Sequence, residues 1–146
     1  MKKLGIFTTI IVILLSNLTI ASADGNDSKT EELIDKYEAR IANAKMHDWK
    51  TYAECADALI SMGVASDEVL AWIDRSIEVR ETVYNRTVRG DCLLKQGKIT
   101  DAKKEYIRAI GLAQQTGERD KISNIQWKIL VAMGIENYNN FQTSGQ

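Results

Sequence analysis

Gly90-Asp-Cys-Leu-Leu-Lys-Gln-Gly97-Lys-Ile-Thr-Asp-Ala102-Lys-Lys-Glu-Tyr106-Ile-Arg-Ala109-Ile110 decides how this 146-residue chain folds. Two glycines stand seven residues apart, and Ala102, Tyr106 and Ala109 then recur at three- and four-residue spacing. That spacing puts the two alanines and the tyrosine on one face of a helix. Gly97 reads as the turn before that helix, because glycine accepts a positive φ at no steric cost. Small side chains on the helices allow their backbones to cross closely.

The pattern recurs upstream. Ile73-Asp-Arg-Ser76-Ile77-Glu-Val79 parallels Tyr106-Ile-Arg-Ala109-Ile110-Gly-Leu112 at an offset of 33, and Gly63 precedes Gly97 by 34. A period of 33 to 34 residues with a glycine, alanine and tyrosine ladder resembles the tetratricopeptide repeat family. The resemblance covers about residues 48 to 133. It implies an all-α chain, a short tetratricopeptide-type α-solenoid of antiparallel helix pairs, with Tyr106 filling the gap between repeats. Arg86 and Arg89 stand where the family prefers an aromatic and a leucine, so the helix starting near Val83 is expected to pack less tightly.

In this family the first helix of each repeat lines a concave groove that holds a protein or peptide partner. The resemblance puts Lys50, Ala53, Glu54, Asp57, Ile60 and Ser61 there from the first repeat. From the second it puts Tyr84, Thr87, Val88, Asp91, Leu94 and Lys95. Asp57 and Asp91 occupy equivalent places, which predicts an acidic floor flanked by Ile60 and Leu94 rather than a clamp for a terminal carboxylate. Such a floor suits a segment carrying basic and apolar side chains. Read without the resemblance, the same charges describe a solvated helix face.

The remaining segments fit helices. Proline is absent and alternating apolar runs are missing outside the N-terminus, which argues against strands. Ser28 with Glu31 makes a capping box for an amphipathic helix over 29–46, carried by Leu33, Ile34, Tyr37, Ile41 and Ala44. Asp48 caps a helix whose buried face is Tyr52, Cys55, Ala56, Leu59 and Ile60, and Gly63 ends it. Ser66 or Asp67 starts the next. Thr116-Gly117 interrupts the chain before a helix over 118–133. Val131-Ala-Met133-Gly134-Ile135 echoes Ile60-Ser-Met62-Gly63-Val64, so Gly134 is expected to end that helix. Residues 134–146 then read as a frayed tail.

Residues 1–23 read as a signal peptide: Lys2 and Lys3, an apolar run from Leu4 to Ile20, and small Ala21-Ser22-Ala23 before a cut at Asp24. Residues 24–47 then hold a polar tail and the N-terminal helix. Without Lys2 and Lys3, 17 basic residues face 20 acidic ones, a net charge of −3. That balance excludes a nucleic-acid binder, and no stable membrane span is expected after cleavage. Export to the periplasm or the medium follows.

Cys55 and Cys92 are open to two readings, buried thiols or one disulfide between repeats. Among the tryptophans, Trp127 is expected in the core and Trp72 at a contact surface. His47 reads as a capping or solvated residue. Asn26-Asp-Ser28 and Asn85-Arg-Thr87 fit the glycosylation triplet. No nucleophile constellation, metal-ligand spacing or phosphate loop appears, so no catalytic residue, cofactor or metal is expected. The sequence therefore predicts an exported adaptor that binds a protein or peptide in its groove. A structural self-assembling subunit of an envelope complex, and hence a homo-oligomer, is the alternative. An enzyme is the least supported class.

Overall fold

A computed structural model describes residues 24–144, so the leader reading at residues 1–23 lies outside the described residues. The described chain is all-helical. Its helices are α1 (Asp24–Ala42), α2 (Trp49–Ser61), α3 (Asp67–Val79), α4 (Val83–Lys95), α5 (Ile99–Thr116) and α6 (Ile122–Ser144). A 3-10 turn, Arg119–Lys121, leads into α6.

Local chemistry sets most of these boundaries. The Asp48 carboxylate accepts from the Thr51 backbone N–H at 3.1 Å and from Thr51 Oγ1 at 2.7 Å, which caps α2. Those bonds from Thr51 hold the Asp48 carboxyl below its ordinary range. Ser66 Oγ accepts from the Val69 N–H and caps α3. Thr82 and Asn85 cap α4 reciprocally. Gly63 and Gly97 end α2 and the α4 turn with φ of 93° and 75°. Each turn closes in the same way: Val64 N–H donates to Leu59 O, and Lys98 N–H to Leu93 O, both at 2.9 Å.

Each helix packs on its predecessor, and α2 also packs on α4. One core gathers Cys55, Ala56, Leu59, Val69, Ile73, Val88 and Cys92, with Leu33, Ile34, Tyr37 and Ile41 of α1 laid against it. A second gathers Val83, Leu93, Ala102, Tyr106, Ala109 and Ile125. Gly90 and Tyr106 set the α4–α5 spacing. A Cβ at Gly90 would lie 2.4 Å from Tyr106 Cε1, so the ring occupies the room a side chain would need.

Buried polar groups pin α2, α3 and α4 together. Ser76 Oγ donates to Trp49 O at 2.7 Å and accepts from Asn85 Nδ2 at 3.0 Å. Asn85 Nδ2 also donates to Arg80 O at 2.7 Å, while its Oδ1 accepts from the Thr82 N–H at 2.9 Å. Asn85 is fully buried, which removes it as a glycosylation acceptor in the folded chain.

Three expectations need correction. Arg86 and Arg89 do not loosen α4. Both donate to the buried Glu105 of α5, at 2.9 and 3.0 Å, and Arg89 also reaches Asp74 of α3 at 2.7 Å. A buried carboxylate is tolerable only when paired in this way. Next, α1 begins at Asp24 and stops at Ala42, where Asn43 Nδ2 donates to Ala39 O at 2.7 Å. Finally, α6 does not end at Gly134 but runs on to Ser144. Gly134 does not adopt the positive φ of Gly63 and Gly97, and beyond it Glu136 pairs with Lys103 of α5, holding the continued helix down.

Candidate functional site

Helices α2, α4 and α6 present one common face, and two clefts lie on it. The larger, about 540 Å³, is lined by Asp57, Ile60 and Ser61 of α2, by Asp91, Leu94 and Lys95 of α4, and by Lys128 and Ile135 of α6. The smaller, about 300 Å³, lies between Val83, Tyr84 and Thr87 of α4 and Asp120, Lys121, Asn124 and Ile125. Tyr84 links them: it lines the smaller cleft, and its hydroxyl donates to Asp57 Oδ2 at 2.8 Å at the edge of the larger.

The helical period explains the grouping. Asp57, Asp91 and Lys128 each stand six residues before a glycine, namely Gly63, Gly97 and Gly134. They therefore occupy the same register on α2, α4 and α6, and side chains in one register share a face. Ile60 and Leu94, three residues before their glycines, follow the same rule.

Of the residues expected in the groove, Asp57, Ile60, Ser61, Asp91, Leu94 and Lys95 meet in the larger cleft. Tyr84 and Thr87 meet in the smaller. Lys50 and Glu54 join neither cleft. Glu54 instead accepts from Arg40 of α1 at 2.8 Å and lies 3.5 Å from Lys50, which ties this end of α2 to α1. Ala53 and Val88 are buried and cannot contact a partner. Ile60 borders the cleft at only 3% exposure, and packs in the α2–α3 core rather than acting as a free apolar contact.

The floor is not simply acidic. Lys128 Nζ donates to both Asp91 oxygens, at 2.8 and 2.9 Å, and the Tyr106 hydroxyl donates to Oδ1 at 2.8 Å. Asp91 is thus neutralised from within the chain. Asp57 accepts from Tyr84 but has no cation in ion-pair range among the described residues. Lys95, exposed in the same cleft, has no carboxylate in range among them either. Burial, with the adjacent Asp57 or Asp91, pushes the Tyr84 and Tyr106 phenols well above their ordinary range, so both remain hydrogen-bond donors. The larger cleft therefore offers one unneutralised carboxylate and one unneutralised ammonium beside Leu94 and Ile135.

The tryptophans are reversed from expectation. Trp72 is 9% exposed because α1 lies over it, whereas Trp127 on α6 is 64% exposed. Cys55 and Cys92 are free, buried thiols in one core. Burial pushes the Cys92 thiol up to about 11 and raises Cys55 as well. His47 is exposed. Among the described residues, no cluster of three or more His, Cys, Asp or Glu is arranged to hold a metal ion. None of the described helices is long and apolar enough to cross a membrane. No protein-family model, curated protein or solved structure matches this chain.

Proposed function

We propose that this chain is an exported, short tetratricopeptide-type α-solenoid that binds a segment of another protein along its α2–α4–α6 face. The repeated turn closures at Gly63 and Gly97, and the close approach of Gly90 to Tyr106, support the repeat reading. The paired clefts on the common face carry the functional reading. Two clefts along one helix face, with charged side chains set beside Leu94 and Ile135, suit a helix or an extended peptide. The apolar stretch before Asp24 supports action in the periplasm or outside the cell.

The occupant has a definable chemistry. An apolar side chain enters between Leu94 and Ile135. A cation of the partner meets Asp57, and a carboxylate meets Lys95. Asp91 contributes little selectivity, since Lys128 already compensates it.

Crosslinked affinity capture from the native envelope and medium tests this reading. Asp57→Lys and Lys95→Glu each reverse one unneutralised charge and leave the Asp91–Lys128 pair intact. The proposal expects one partner to be captured by the wild-type chain and lost with either variant. Capture unchanged in both, with helical content preserved, removes the groove from consideration.

A further inference from the structure

Helix α6 is apolar on two sides. Ile125 packs in the second core, and Ala132, further along the helix, is fully buried. On the outward side Trp127 is 64% exposed, Leu130 59% and Val131 40%. Large apolar side chains left exposed together on one helix face mark a contact surface.

The equivalent face is covered in the other two helices. Leu59, Leu93 and Leu130 each stand four residues before Gly63, Gly97 or Gly134. Leu59 and Leu93 are buried, at 0% and 4% exposure, because α2 and α4 turn at their glycines and the next helix folds back over them. At Gly134 the chain does not turn. Helix α6 continues for ten residues, so among the described residues no segment returns to cover Leu130.

The exposed face of α6 calls for an uncharged cover. The only charged residues of α6 are Lys128 and Glu136, and both pair inward, with Asp91 and Lys103. The outward face then carries no charge to attract a charged partner. The outer side of α1 is the reverse, with Glu31, Glu32, Asp35, Lys36 and Glu38 exposed, so head-to-tail stacking of copies would bury unpaired charges. What matches an uncharged apolar helix face is the same face of another copy, in an isologous pair. Gly134 fits this. A Cβ there would meet nothing within 4 Å in its own chain, so no internal contact calls for glycine. Between two crossing helices a glycine lets the backbones approach.

We propose that the chain forms a two-fold homodimer through α6, the two helices crossing antiparallel near Gly134. The ten residues beyond Gly134 in one copy then lie along the Trp127–Leu130 half of the other. This surface centres on Trp127, Leu130 and Gly134, none of which lines the α2–α4–α6 groove, and the proposal does not rest on the groove reading.

The test is mass by light scattering and sedimentation across the micromolar range, on protein produced from the full-length gene. The expected mass is twice that of the denatured chain. Leu130→Asp should give a monomer of unchanged helical content. Gly134→Leu, at a position where an added Cβ meets nothing within 4 Å, should raise the dissociation constant about tenfold or more. Asp57→Lys in the groove should leave the mass unaltered. A wild-type monomer throughout the range overturns the proposal. So does a dimer that neither α6 substitution weakens.

Discussion

Gly90→Ala adds one methyl group at the α4–α5 crossing. Its Cβ would sit 2.4 Å from Tyr106 Cε1, 2.6 Å from Cδ1 and 3.0 Å from Cζ. These are ring atoms of a fully buried side chain, so the ring must move as a unit or the helices must part. Overpacking of this kind costs about 1–3 kcal/mol. Displacing the ring also breaks the Tyr106–Asp91 bond of 2.8 Å, and a bond to a charged acceptor is worth about 1.5–3 kcal/mol. Alanine returns about 1 kcal/mol of helix propensity. The net loss is then about 3 kcal/mol, or roughly 10 °C in Tm. Gly111→Ala is the matched control, since a Cβ there meets nothing within 4 Å and the same propensity gain of about 1 kcal/mol should appear as stabilisation. Urea and thermal unfolding of both variants provide the readout. Tyr106→Leu should make the Gly90→Ala cost smaller in the double variant than in the single one, because ring and methyl compete for one space. If Gly90→Ala proves as stabilising as Gly111→Ala, the close crossing does not exist.

The buried polar groups have consequences of their own. Asn85→Ala leaves the Thr82 N–H and the Arg80 carbonyl without their partner and should cost about 2–4 kcal/mol in urea unfolding. Glu105→Gln removes the charge shared by Arg86 and Arg89 and should cost about 2–4 kcal/mol. Because that carboxylate is shielded from solvent, moderate salt should leave the cost nearly unchanged when unfolding is repeated at two ionic strengths. Stability should also fall at alkaline pH. The Cys92 thiol loses its proton near 9.0 in the unfolded chain but only at about 11 when folded. The unfolded state therefore binds fewer protons between those values, and unfolding free energy declines as pH rises through them. Tyr84 and Tyr106, raised in the same direction, extend the decline upward. An unfolding free energy that stays level from pH 9 upward would contradict these burials.

What the sequence disclosed was local. Asp48, Ser66, Gly63 and Gly97 announce their caps and turns because capping bonds and positive φ are properties of single residues. The family resemblance implied that Asp57, Asp91 and Leu94 share one face, and they do line one cleft. The pairing of side chains from distant segments was not visible. Arg86 and Arg89 look like gaps in a packing pattern until Glu105 arrives from the next helix. Lys128 did leave a signal, since it repeats the register of Asp57 and Asp91, but a lone lysine inside an apolar helix masks it. The tryptophans misled because their exposure depends on the path of other helices. Trp72 is covered by α1, while Trp127 faces outward because α6 runs on past Gly134 instead of turning. Gly134 has the residue type of Gly63 without its dihedral, and that dihedral depends on whether the downstream segment folds back.

Partner binding on the α2–α4–α6 face, as proposed, has one direct test. A photo-crosslinking amino acid placed singly at Ser61, Thr87 or Lys95 in that groove, and at Glu78 or Lys104 as exposed positions that line neither cleft, tests it in the native host. The three groove positions should crosslink to one common partner, and the two remote positions should not. Crosslinking to that partner from Glu78 or Lys104, with none from the groove, would contradict it.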